Sequence, residues 1–199
     1  MKTKTINSLT HLKKQLKSGM VYRRADLLQW SNAVDRHLQQ LLDDGFLIKL
    51  SGGLYYRPKK TIFGEVPADD KILVRAFLND HRFLLTSPNL YNTLGIGTTQ
   101  LYNETLVYNH KRHGLFKLGS RTFRFAIKPS FPSEITHEFL LVDVINNIDR
   151  LAEDKEQVLK QVLVKMRTMN KRRLAYAFRE YGSVAAKKIF ANSLINAQL

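Results

Sequence analysis

Residues Tyr22 to Pro58, YRRADLLQWSNAVDRHLQQLLDDGFLIKLSGGLYYRP, constrain this chain more than any other stretch. Val34, Leu38, Leu41 and Leu42 recur at the spacing of one helical face. The predicted helix runs from Ser31 to Asp44. Ser31 or Asn32 caps it by accepting an orphan backbone N–H, and Gly45 stops it in a left-handed conformation. Its opposite face carries Asn32, Arg36, Gln39 and Gln40, side chains of the kind that hydrogen-bond base edges. A shorter helix is expected before it, over Tyr22 to Trp30. After it, Phe46, Ile48 and Leu50 alternate with Leu47 and Lys49, Ser51-Gly52-Gly53 turns the chain, and Leu54 to Arg57 returns as a second strand. Helix, helix and basic hairpin in that order is the pattern of a winged helix-turn-helix, whose usual cargo is duplex DNA.

The same pattern also serves as a protein-interaction module, and charge separates the two uses. Residues 1–60 hold 12 Lys or Arg against 4 acidic residues, and the whole chain of 199 residues carries a formal charge of +15. Such an excess calls for a polyanionic partner. Nucleic acid is expected rather than membrane, because the sequence has no long apolar run and no basic amphipathic anchor. Arg23 and Arg24 stand where the shorter helix begins and are candidates to grip phosphate. Lys49, Arg57, Lys59 and Lys60 are the candidate phosphate contacts of the wing. MKTKTINSLTHLKK lacks the apolar core of a secretory signal and the chain has no cysteine, so a cytoplasmic location is expected.

Charge divides the rest. Residues 61–150 are nearly balanced, with 10 basic and 9 acidic residues, whereas 151–199 hold 10 basic and 4 acidic. The expected architecture is α+β: a winged helix-turn-helix over 1–60, then a mixed α/β domain over 61–199 with a small sheet to about 150 and a helical bundle over 151–199. Ile6, Leu9, Leu12 and Leu16 mark a first helix. Ile72, Leu73, Ala76 and Phe77 mark the buried side of another, over Ala68 to Leu78. Thr105 to Tyr108, Leu115 to Leu118 and Thr122 to Ile127 read as strands of an antiparallel sheet. Helices are expected from Ser133 and again from Asp154, with a break at Gly182, a cap at Ser183, and Ile189, Phe190 and Leu194 completing the packing. Lys171, Arg172 and Arg173 form a second basic patch, suited equally to phosphate or to a protein partner.

No stretch carries a catalytic constellation. Gly95-Ile96-Gly97-Thr98-Thr99 lacks both the Gly-Lys-Ser/Thr of a Walker loop and the third glycine of a dinucleotide loop, and reads as a turn. His110 and His113 flank Lys111 and Arg112, which repel a cation, so a basic turn is the better reading. Glu134, Glu138 and Asp143 sit on or near one helix, but Asp143 is not at a facing spacing from Glu138, so they read as a solvated face rather than a catalytic pair. Gly119-Ser120 is followed by Thr122-Phe123-Arg124 where a nucleotidyltransferase would carry paired aspartates. No enzyme activity, metal or cofactor is expected.

Gly52-Gly53-Leu54-Tyr55-Tyr56-Arg57-Pro58-Lys59 resembles the AbiEi-type antitoxin family. The resemblance extends through Phe63-Gly64-Glu65-Val66-Pro67, Leu85-Thr86-Ser87 and Tyr91-Asn92-Thr93-Leu94-Gly95. It is strongest in Thr99-Gln100-Leu101-Tyr102-Asn103-Glu104-Thr105-Leu106-Val107-Tyr108-Asn109, and covers roughly residues 20–150. It implies a type IV toxin–antitoxin regulator. The winged helix would repress its own operon at inverted repeats of double-stranded operator DNA. The C-terminal domain would antagonise a nucleotidyltransferase-like toxin encoded beside it, in such families often without a stable complex. The rival readings are a stand-alone transcription factor whose second domain senses a ligand or partner, and a nucleic-acid-processing enzyme.

Overall fold

A computed structural model describes residues 8–96 and 101–196. The chain forms two compact units. One gathers the chain up to His81 together with Leu115–Thr122, and the other gathers Arg82–Gly114 with the chain from Phe123 onward. Helices and several small sheets make the fold α+β. Among the described residues no helix is long and apolar enough to cross a membrane.

The first unit runs α1 (Ser8–Gln15), β1 (Val21–Arg23), α2 (Arg24–Leu27), α3 (Val34–Asp43), β2 (Ile48–Ser51) and β3 (Leu54–Tyr56). A second hairpin follows, β4 (Lys59–Thr61) and β5 (Gly64–Val66), and then α4 (Asp70–Leu78). The three-stranded sheet has the order β1-β3-β2, antiparallel throughout. Leu12, Leu16, Leu27, Val34, Leu38, Leu41, Leu47 and Tyr55 close over one core, with Leu9, Trp30 and Phe46 at its edge. Ile6 lies outside the described residues.

Three local expectations shift. The helix expected over Tyr22 to Trp30 is only four residues long, because Val21, Tyr22 and Arg23 pair with Tyr56, Tyr55 and Leu54 as a strand. The next helix starts at Val34, not Ser31. Neither candidate caps it: the capping position is Ala33, whose side chain has no acceptor to offer. The buried Ser31 hydroxyl instead accepts the Ala33 N–H at 3.2 Å and bonds His37 Nδ1 at 2.7 Å, holding 31–33 as a turn. In α4, Leu73, Val74 and Leu78 are the buried residues, while Ile72, Ala76 and Phe77 are only partly covered. Gly45 does adopt the left-handed conformation, at φ 63°.

The second unit contains β6 (Phe83–Thr86), a 3-10 helix (Pro88–Leu94) and β7 (Thr105–Asn109). β8 (Gly114–Leu118) and β9 (Arg121–Ile127) follow, then α5 (His137–Asn147), α6 (Lys155–Thr168), α7 (Lys171–Tyr181) and α8 (Val184–Asn196). β6 pairs antiparallel with β7, but β7 pairs parallel with β9, so the expectation of an all-antiparallel sheet is wrong. Parallel neighbours need a crossover of about a dozen residues. The chain between Asn109 and Arg121 is long enough, and its β8 belongs with the first unit. α5 is the hub: all its residues from Phe139 to Ile145 are buried. Val158 and Val162 of α6, and Leu174 and Phe178 of α7, share its core. Gly182 ends α7, since a Cβ there would meet the Phe178 carbonyl at 2.5 Å. Ser183 caps α8 by accepting the Ala186 N–H at 3.2 Å. The side chain of Leu194 lies outside the described residues, as does Gly97-Thr98-Thr99 of the expected turn.

Candidate nucleic-acid interface

α3 is built from an apolar spine and a polar face. Val34, His37, Leu38 and Leu41 are buried. Arg36, Gln39 and Gln40 are exposed, and at 100° per residue they fall within one arc opposite that spine. Gln39 Nε2 donates to Asp43 Oδ1 at 2.8 Å, one turn on along the same arc. Asn32 is exposed but sits in the turn before the helix, not on its first turn.

The expected phosphate contacts fall into two groups. Lys49 on β2 and Lys59 and Lys60 on β4 are exposed. Lys59 and Lys60 belong to the second hairpin rather than to the β2–β3 hairpin. Arg24 and Arg57 are engaged within the fold. Arg24 clamps Asp35 through two bonds, at 2.6 and 2.5 Å, and holds that carboxyl below the usual carboxylate range. Its backbone N–H donates to the Gly53 carbonyl at 2.8 Å, tying the hairpin turn to the start of α2. Arg23 is half-buried at the end of β1. Arg57 donates from Nη1 to the Leu16 carbonyl and lies 4.5 Å over the Phe46 ring. Its backbone bonds Gly19 and Met20. Arg57→Ala is therefore expected to destabilise the first unit by about 1–2 kcal/mol, from one charged hydrogen bond and one cation–π contact. Thermal melts would register that loss.

In the second unit, Lys171, Arg172 and Arg173 are exposed in the first turn of α7, which holds no acidic residue. Three cations at the positive end of a helix dipole work against it. Arg172 and Arg173 line a cleft of about 340 Å³ with Thr136, Glu138, Tyr176 and Tyr181.

The feature that sequence reasoning missed is a buried polar network. Asp143 of α5 accepts from the Tyr108 hydroxyl at 2.7 Å and the Tyr91 hydroxyl at 2.9 Å. Asn147 Nδ2 approaches the same carboxylate at 3.0 Å and the Tyr108 oxygen at 3.0 Å. Burial pushes the Asp143 carboxyl above the usual range; the two tyrosine bonds and the charge of Lys128 act in the opposite direction. Asp143 faces inward, away from any pairing with Glu134 or Glu138, which are exposed and partly exposed. The one available signal was Asp143 inside the otherwise apolar run Phe139 to Ile145, with Asn147 four residues on. His110 stacks on Phe131 at 4.7 Å, and no metal-holding group of three His, Asp or Glu occurs among the described residues.

No family model matches the chain, and no curated protein matches it.

Proposed function

We propose that the first unit is a winged helix-turn-helix that reads duplex DNA, and that the protein is a cytoplasmic autorepressor and antitoxin of the AbiEi type. The observation that carries the DNA reading is the face of α3, where Arg36, Gln39 and Gln40 stand exposed over a wholly buried spine. The element order α1-β1-α2-α3-β2-β3 with strand order β1-β3-β2 supports it, because that connectivity leaves α3 and the β2–β3 hairpin as the docking parts. The net charge of +15 supplies long-range attraction to phosphate. The resemblance of the Gly52–Lys59 and Thr99–Asn109 stretches to AbiEi-type antitoxins supports the second half of the proposal. In that arrangement the second unit opposes a nucleotidyltransferase-like toxin encoded by the neighbouring gene.

The test is competition binding to the duplex upstream of the protein's own gene. Arg36→Ala should weaken binding and blunt preference at one base pair, since a bidentate contact discriminates by about 1–3 kcal/mol. Replacing Lys49, Lys59 and Lys60 together should weaken all sequences alike. The slope of log K against log salt should flatten by about 0.9 for each phosphate left without its lysine. An unchanged slope together with unchanged preference in Arg36→Ala would refute the DNA reading.

A further inference from the structure

We infer that the β4–β5 hairpin is a second DNA contact, whose Ile62-Phe63 tip wedges between base pairs from the minor groove. The inference rests on the DNA reading of the first unit and adds an apolar element to it. Every residue from Lys59 to Val66 is exposed, and the two strands form a sheet of their own, with Lys59 facing Val66, Lys60 facing Glu65 and Thr61 facing Gly64. Ile62 and Phe63 occupy the turn and are each 93 % exposed, more than any other large apolar side chain among the described residues. A two-residue hairpin loop ordinarily takes Asn, Asp or Gly. Two large apolar residues there bury nothing within the first unit.

The tip is held in place. Thr61 Oγ1 accepts the Phe63 N–H at 3.3 Å and donates to the Gly64 carbonyl at 3.0 Å, and Gly64 takes φ 106°, a conformation that disfavours any side chain. The base of the arm is fixed too. Tyr56 of β3 donates its hydroxyl to the Val66 carbonyl at 2.6 Å, and Ser18 Oγ donates to the carbonyl of the buried Pro58 at 2.9 Å. An arm already ordered loses little conformational freedom when it docks.

Charge decides the partner. Lys59 and Lys60 lead up to the tip, with Glu65 the one acid on the hairpin, and the chain as a whole carries +15. A second copy of the chain would meet that charge with its own. A duplex meets it with phosphate, and it offers stacked bases between which apolar side chains insert from the minor groove. The tip has no side-chain donor or acceptor with which to read base edges, so shape and unstacking are its means of contact.

The experiment uses the full chain and the double variant Ile62→Ala/Phe63→Ala. The probe is the duplex upstream of its own gene, with 2-aminopurine placed at successive A·T positions. Wild type should raise the fluorescence at one step, and a minor-groove ligand such as netropsin should compete with it. The double variant should lose the fluorescence rise and bind about tenfold more weakly or worse, since burying one such side chain is itself worth tenfold or more. Its salt slope should match wild type, because every lysine that meets phosphate is retained. Equal affinity and equal fluorescence in the two proteins would overturn the wedge while Arg36→Ala still tests the reading of α3. Unchanged DNA binding with lost protection from the neighbouring toxin would also overturn it, and would make the tip a protein-docking peg. If wild type binds no duplex, the DNA reading itself falls and takes the wedge with it.

Discussion

Under the proposed autorepressor and antitoxin roles, alanine at Arg36, Gln39 and Gln40 together is expected to abolish repression of the operon while leaving protection from the toxin intact. The three side chains are exposed on α3, and alanine is the best helix former, so the fold should survive their removal. The Gln39–Asp43 bond disappears, but an exposed pair of that kind contributes little. Base reading suffers far more. Each bidentate contact contributes about 1–3 kcal/mol of discrimination, so removing three amounts to at least two orders of magnitude in specific affinity. Non-specific attraction through Lys49, Lys59 and Lys60 would remain. An operator–reporter fusion measures the first activity, and growth under toxin expression measures the second. Loss of both in the same variant would mean that protection works through DNA, and that assigning it to the second unit is wrong. Point substitutions suit this separation better than truncation. A cut after Lys60 would split the β4–β5 hairpin and remove α4, which packs on β1.

Asp143→Leu is expected to unfold the second unit, or nearly so. The substitution leaves the hydroxyls of Tyr91 and Tyr108, both buried, without their shared acceptor, while the Asn147 amide keeps the backbone carbonyl of residue 143 at 2.9 Å. Each such orphan costs about 1–3 kcal/mol, and the total approaches the 5–15 kcal/mol by which domains are stable at all. Asp143→Asn keeps the shape and one acceptor, and should cost much less. It should also change the response to pH. Because the folded chain holds the Asp143 proton more tightly than the unfolded chain, this group's stabilisation is complete below the ordinary carboxylate value near pH 4 (about 3.9) and is lost as pH rises through the raised folded value. The difference in stability between wild type and Asp143→Asn should therefore move against wild type with rising pH across that window. Denaturant melts at a series of pH values would show it. A difference independent of pH would mean that Asp143 titrates as an ordinary carboxyl.

The parts of the fold that were legible are those written in short-range periodicity. The spine of α3 and the stop at Gly45 follow from spacing and backbone preference within a dozen residues. What failed depended on partners far along the chain. Tyr22 and Arg23 read in the sequence as the opening of a helix and become strand because β3 offers them an edge. The parallel pairing of β7 with β9 could not be read from either strand, since it depends on where β8 goes. Arg57 resembles a phosphate ligand because a sequence records its charge but not the Leu16 carbonyl and Phe46 ring that occupy it. Asp143 has one partner nearby in the sequence, Asn147, whereas Tyr91 and Tyr108 arrive from 52 and 35 residues away. The polar face of α3 is visible in the spacing of its residues. The bare tip at Ile62-Phe63 is not, because exposure is a property of the finished surface.

Leu115–Thr122 returns to the first unit after the chain has already begun the second, and this sets an order of events during synthesis. Gly119 donates its N–H to the Leu50 carbonyl at 2.8 Å, and Arg121 pairs with Asp70 at 2.5 Å while also donating to the Ala68 carbonyl. Until those residues leave the ribosome, the outer edge of β2 lacks this cover and Asp70 lacks its cation. A nascent chain that has emerged only through α4 thus carries an unfinished first unit with an open strand edge, a surface on which chains associate. At 5–20 residues per second the exposure lasts a few seconds. Ribosome stalling between α4 and β9 would prolong it, making this stretch the part of the message where translation speed bears most directly on the yield of soluble protein.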